Sequence, residues 1–484
     1  MKSTFSIINR SGTGNGAAIN AQLQSGNQLL IKDSEFIQCK GSEIQGGAIY
    51  LNINNGGQAT ISNSSFSNCE ATHGGGIYAR IYTSGKLTID GQCNFTDCKA
   101  EVSGGGIYNN MFDMNSLFSL EDGIKFERCI SRNGGGVCIY MINQSKGIIN
   151  KVLFNNCESS YGGGIILYTQ SKGIAEISNI SFINCISEEG GGLYSSISSE
   201  GEVTITDTLQ FINCEGNLGG GWYAVLNQGS ININPYQQIL FDNCTAEFFG
   251  GGFYANISEG GQLNIINQCI FIECQCYFGS GGGIYTLTSH GGQFTINGSC
   301  EFYQCISQGG HGGGLFAETT ESGQMKLFGQ FLFQNCESAF YGGGCYLRII
   351  DSGNVTFNST NQILFDNCLA LGGGGGLTAL VQYGGQLSIN GVTSFKNCKC
   401  NNNGQGGGCY LLCNGSESKI LFTGQLQFDN CSSTQGGGIY LRMYDQSTVE
   451  IQKILFKDCS AKSGGGIFSN VSNVLNLEME ELYV

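Results

Sequence analysis

The stretch Phe66-Ser67-Asn68-Cys69-Glu70-Ala71-Thr72-His73-Gly74-Gly75-Gly76-Ile77-Tyr78-Ala79-Arg80 decides how this chain folds. Its last four residues alternate with the period of a strand: Ile77 and Ala79 face inward, Tyr78 and Arg80 outward. Phe66 and Cys69 stand three apart, which breaks that parity, so both face inward only if the chain bends between them. Phe-x-x-Cys therefore reads as a strand end followed by a corner. The small Ala71 marks a tight corner, and the three glycines mark a second one, where positive φ or close backbone approach is needed.

Outward from this stretch the same pattern fills the chain. Phe-x-x-Cys occurs fifteen times, with phenylalanines at 36, 66, 95, 126, 154, 182, 211, 241, 271, 302, 333, 365, 395, 428 and 456. From Cys39 to Cys459 fourteen intervals cover 420 residues, a mean of 30. The residue two after each cysteine is small throughout, from Gly41 to Ala461, and an apolar-x-apolar element such as Leu87-Thr88-Ile89 precedes each phenylalanine. Three short strands in a unit of fixed length, with no helical pattern, predict an all-β fold: a single-stranded parallel β-helix, or solenoid, of about 15–16 coils of ~30 residues. At about 4.8 Å per coil the predicted rod is roughly 75 Å long. The expected organisation is a degenerate N-terminal coil over 1–35, the repeat array over 36–472 and a tail over 473–484. In that tail Leu475, Leu477, Met479 and Leu482 read as a short helical cap.

Composition agrees with this pattern. Glycine makes up 78 of 484 residues while proline occurs once, at Pro235. Collagen needs proline-rich triplets, and a helical protein would lose roughly 1 kcal/mol per interior glycine. With 40% hydrophobic, 11% aromatic and 12% charged residues the chain has enough apolar surface to fold. The net charge of −15 has no basic stripe to offset it, which argues against nucleic acid as a partner. No stretch approaches the ~18 consecutive apolar residues of a membrane helix, and residues 1–16 lack the apolar core of a signal peptide. Thirteen Asn-x-Ser/Thr sequons, Asn63, Asn143, Asn256 and Asn414 among them, would permit glycosylation of an exported chain.

Gly46-Gly47-Ala48-Ile49 and the alternation of phenylalanine motifs with glycine clusters resemble the repeats of chlamydial polymorphic outer membrane proteins, within the pectin-lyase-like right-handed β-helix superfamily. Where that family has asparagine three after phenylalanine this chain has cysteine, and nine of fifteen units place asparagine one position earlier, as in Phe241-Asp242-Asn243-Cys244. The resemblance implies a right-handed winding, which agrees with the handedness of parallel crossovers. It also implies a surface or extracellular location.

Fifteen of the 24 cysteines form the Phe-x-x-Cys column. Cys93, Cys269 and Cys300 lie two before a phenylalanine, Cys276 and Cys400 take the small corner position, and Cys138, Cys345, Cys409 and Cys413 follow the glycines. All read as compact buried hydrophobes, with disulfides between neighbouring coils as the alternative. No Cys-x-x-Cys exists, so no metal or other cofactor is expected.

Catalytic residues are not expected either. Gly310-His311-Gly312 is similar to a polygalacturonase motif, but its companion motifs are absent and adjacent acids are few: Glu121-Asp122, Glu188-Glu189 and Glu480-Glu481. His73, His290 and His311 stand beside no recognisable nucleophile. His311 reads as an insertion that lengthens a glycine turn. The second residue after the glycines is aromatic in twelve of fifteen units. Tyr78, Tyr108, Tyr194, Tyr223, Tyr254, Tyr285, Tyr346, Tyr410 and Tyr440 in this outward column are the candidate ligand-binding residues. The column reads either as a ladder that stabilises adjacent coils or as an exposed stripe for glycan or a protein partner. The function expected is a non-enzymatic structural or adhesive surface protein, with lateral or end-to-end self-association open to it. The alternatives are a carbohydrate-active enzyme of the same fold and an intracellular or virion fibre.

Overall fold

The computed structural model describes residues 3–10, 14–41, 43–234, 238–359, 362–401 and 403–483; Pro235 and Val484 lie outside them. The chain forms two compact units, Met1–Gln237 and Gln238–Val484. The described residues contain no helix, and their strands pair in parallel. In the first unit a representative coil runs through Gln58–Ser62, Ser65–Ser67, Glu70–His73 and Ile77–Ile81. Each piece lies in register on its counterpart in the next coil: Ile61 on Ile89, Phe66 on Phe95, Glu70 on Lys99 and Tyr78 on Tyr108. The second unit repeats the plan, with Phe395 on Phe428 and Tyr410 on Tyr440. Each unit contributes eight strands to the sheet that follows the glycines, sixteen in all, so the β-solenoid has about sixteen turns.

The bend between phenylalanine and cysteine has a specific cause. The residue before the cysteine adopts a left-handed conformation in all fifteen units, with φ between 49° at Asn243 and 55° at Asn335 and Asn430. Asparagine tolerates that region better than other non-glycine residues, which explains its recurrence there. The turn brings Phe66 and Cys69 both inside at 0% exposure. The phenyl rings then stack along the core with centroids 4.6 Å apart at Phe66–Phe95 and up to 5.2 Å at Phe428–Phe456. Phe5 adds a rung below Phe36 at 4.9 Å, one the motif search passes over because Ile8 stands where the cysteine would be. Full burial of one such ring stabilises by roughly 1.5–3 kcal/mol.

Two expectations are corrected. In a coil such as 58–81 there are four strand pieces rather than three, because the segment after the cysteine is a short strand rather than a bare corner: Ala71 pairs with Ala100, and both are buried; elsewhere the two pieces before the cysteine merge, as in Lys146–Asn155. This segment packs backbone to backbone against the glycine triplet. A Cβ on Gly105 would lie 2.1 Å from the carbonyl oxygen of Gly135 and 2.8 Å from the backbone of Ile130. The neighbouring glycines are needed for other reasons: Gly104 has φ +66°, and a Cβ on Gly106 would lie 2.7 Å from the Phe126 ring. The second correction concerns the tail, where no helical cap forms. Asn476–Tyr483 is a strand laid on Thr448–Lys457, with Leu477 over Val449 and Met479 over Ile451. Leu477 and Met479 stand two apart, as strand alternation requires, and the exposed edge of the preceding coil offers them a ladder to extend.

Candidate functional site

The tyrosine column stacks but is not exposed. In the first unit Tyr50, Tyr78 and Tyr108 follow one another at 5.3 and 4.9 Å, and Tyr194 meets Tyr223 at 5.2 Å. Where Cys138 and Ile166 replace the aromatic residue, the stack steps two positions along the strand to Tyr140 and Tyr168, 4.5 Å apart. In the second unit Tyr254, Tyr285, Phe316 and Tyr346 stack at 5.3, 4.6 and 5.1 Å, and Tyr410 stacks on Tyr440 at 5.3 Å. Of the nine candidate tyrosines, Tyr78, Tyr254, Tyr346, Tyr410 and Tyr440 are buried, and Tyr108, Tyr194, Tyr223 and Tyr285 are half-buried.

The stack itself accounts for much of this burial, and at five coils a further ring adds to it. There the residue just before the glycine triplet is aromatic and lies against the column on the C-terminal side of its own coil. His73 lies 5.2 Å from Tyr108, Tyr161 5.8 Å from Tyr194, Phe249 4.6 Å from Tyr285 and His311 4.6 Å from Tyr346. Tyr341 reaches past Thr378 to Tyr410 at 5.5 Å. The outward-facing stripe is thereby partly covered at these coils. His311 is thus a covering ring among Phe340, Tyr341 and Tyr346, and burial lowers its pKa. His290 occupies a different place, an exposed turn where it pairs with Glu321 at 2.9 Å.

Burial raises the phenol pKa values, with Tyr168 and Tyr346 pushed up to about 12. A phenol that ionises at about 10 when unfolded and about 12 when folded favours the folded state fully below pH 10. That contribution is lost as pH rises through 12. Spectrophotometric titration is expected to show late-ionising tyrosines, with unfolding between pH 10 and 12. Ionisation of all 21 tyrosines near pH 10 in folded protein would contradict the roofed stack.

All 24 cysteines are free thiols, and every one except the half-buried Cys459 is buried. Along the column the Sγ donates to the carbonyl oxygen of a phenylalanine one coil earlier, as Cys98 does to Phe66 at 3.5 Å and Cys368 to Phe333 at 3.4 Å, whereas the terminal Cys459 donates to the Lys457 carbonyl. Burial pushes Cys93 and Cys413 up to about 11 and Cys276 and Cys400 up to about 12. Thiols held protonated and out of solvent react slowly. Native protein is expected to take up alkylating reagent only at Cys459, whereas denatured, unreduced protein takes it up at all 24; a shortfall in the second count would reveal bridges. Cys398, Cys400, Cys409 and Cys413 are spread over the column, the short sheet and both ends of Cys409–Asn414. Among the described residues no three side chains of ligating type converge on a metal position.

The open aromatic surface lies elsewhere. Four residues separate Cys69 from its triplet, as is usual in the first unit, whereas five to seven do so at Cys244, Cys274, Cys305, Cys336, Cys368 and Cys398. The longer spans push rings outward. Phe248 is 41% exposed, Tyr277 41%, Phe278 69% and Phe340 50%. Beside them a groove of about 250 Å³ is lined by Ile306, Gln308, Glu337, Ala339 and Leu371. In the first unit the corresponding grooves are lined by polar residues such as Glu70, Lys99 and Glu101, or Glu158 and Glu188.

Fold and site together define a parallel β-solenoid whose aromatic residues are divided between a roofed stack and an open patch. No family model matches the chain, and no curated protein does. Among solved structures, the crystal structure of a TibC-catalysed hyper-glycosylated TibA fragment, residues 55–350, is similar over 87% of this chain and 100% of its own, at 15% identity and a TM-score of 0.34. No helix among the described residues is long and apolar enough to cross a membrane.

Proposed function

We propose that the chain is a non-enzymatic scaffold of a cell surface or extracellular layer, a right-handed solenoid that presents side chains for contact with glycan or protein. One observation carries this reading: the residues that recur in every coil all pack onto the next coil. The Phe66–Phe95 and Tyr78–Tyr108 stacks and the Cys98 thiol on the Phe66 carbonyl are coil-to-coil contacts of this kind. Such repetition commits the recurring residues to contacts between neighbouring coils, whereas hydrolysis of a glycosidic bond needs carboxylates gathered at one place. The resemblance to polymorphic outer membrane protein repeats supports the surface location. The test is incubation of the purified chain with a polysaccharide panel while bound protein and released reducing ends are both measured. Binding without release is expected; sustained release would overturn the scaffold reading in favour of a carbohydrate-active enzyme.

A further inference from the structure

The exposed rings of the second unit follow a pattern along the coils. The fourth residue after the column cysteine is Phe248, Phe278, Gly309, Phe340 and Gly372 on five successive coils. Backbone bonds hold these positions: the Phe278 amide donates to the Glu247 carbonyl at 2.8 Å, and the Phe340 amide to that of Gly310 at 3.1 Å. A Cβ on Gly309 would lie 2.7 Å from the Phe278 backbone, and one on Gly372 would lie 2.7 Å from the Phe340 carbonyl oxygen. Glycine therefore keeps the coil between the two rings bare, and Phe278 and Phe340 recur at two coil rises, about 10 Å. Between and beside them stand groups that hydrogen-bond to hydroxyls. The Gln308 side chain, exposed and joined to Gln275 at 3.2 Å, is one, and the exposed Glu337 is another.

From this arrangement we infer that the patch around Phe278, Gly309 and Phe340 binds a neutral, extended β-1,4-linked pyranose chain. The inference rests on the reading of the chain as a contact-making scaffold and names the contact. Exposed aromatic faces offer an apolar platform for the C–H face of a sugar ring, and a ring with a polar neighbour is the usual composition of such a surface. In an extended β-1,4 chain alternate sugars turn over, so every second unit presents the same face, a repeat close to two coil rises. Charge selects among glycans. The five spans between column cysteine and triplet from Thr245 to Gly373 hold Glu247 and Glu337 but no lysine or arginine, so an anionic polymer is disfavoured and a neutral one is not.

The test is calorimetric titration of the full chain with cellohexaose and with chitohexaose, with hexagalacturonate alongside, for the wild type and for the doubly substituted variant Phe278→Ser/Phe340→Ser. Wild type is expected to bind at least one neutral hexaose, and the variant to lose at least tenfold in affinity with an unchanged thermal midpoint, because both rings are exposed. Binding of one hexaose and not the other distinguishes a glucan from an N-acetylglucosamine polymer. The proposal is overturned by failure of wild type to bind either neutral hexaose, by equal binding of the variant, or by tighter binding of hexagalacturonate. It is also overturned if sedimentation shows a wild-type dimer that the two substitutions dissolve, since the patch would then hold a second copy. Release of shorter sugars from a bound hexaose would overturn the scaffold reading and leave the binding site standing, so the two failures are distinct.

Discussion

Valine at Gly343 is expected to destabilise the second unit by more than about 4 kcal/mol, the range reserved for named structural faults. The φ angle there is one that any residue adopts, so the effect is purely one of space. A Cβ would lie 2.2 Å from the carbonyl oxygen of Gly375 and 2.5 Å from that of Leu369. Both atoms are backbone, held by the coil-to-coil ladder, and cannot swing aside as a side chain would. Gly260→Ala is the contrasting change: Gly260 has φ +77° but nothing within 4 Å of its Cβ, so only the left-handed penalty of roughly 1–2 kcal/mol applies. Chemical denaturation of the two variants decides the matter. If Gly343→Val unfolds no more readily than Gly260→Ala, the coils are not in backbone contact at the triplets.

Phe333→Ala is expected to cost about 3–5 kcal/mol, as fully buried aromatic truncations do. Its ring is 0% exposed and lies between Phe302 at 4.8 Å and Phe365 at 4.7 Å, so truncation opens a gap in the middle of the column. The ring also carries the third glycine of the coil below, since a Cβ on Gly314 would lie 2.7 Å from it. Phe340→Ala removes a ring of the same size from the adjoining coil surface and is expected to stay within about 0.5 kcal/mol of wild type. Thermal or denaturant unfolding of the pair gives the answer directly; equal losses would mean that the phenyl column is not the core.

Strand parity and the Phe-x-x-Cys bend were legible in the residues because each depends on local geometry. Ile77 and Ala79 are inside as alternation requires, and the left-handed Asn68 places Phe66 and Cys69 on one side. What local geometry cannot show is a neighbour from another coil. Tyr78 and Tyr254 face outward by parity yet are 3% and 8% exposed, because rings of neighbouring coils stack on them, Tyr50 and Tyr108 on Tyr78 and Tyr285 on Tyr254. The tail was misread for a related reason: four apolar residues within eight fit a helix or a strand, and the edge left by Thr448–Lys457 settles the choice. The exposed rings lie in the residues between the cysteine and glycine motifs, where no recurring residue marks them. The signal was present in the length of that span, which grows from four residues after Cys69 to six after Cys274.

The covering residue gives each unit a direction. His73 shelters the ring of the coil that comes after it, and so do Tyr161, Phe249 and His311. A coil added on the C-terminal side therefore docks its aromatic ring beneath a roof that already exists. Where such a ring is present, successive coils are not interchangeable, since the residue before one triplet completes the surroundings of the ring that follows it.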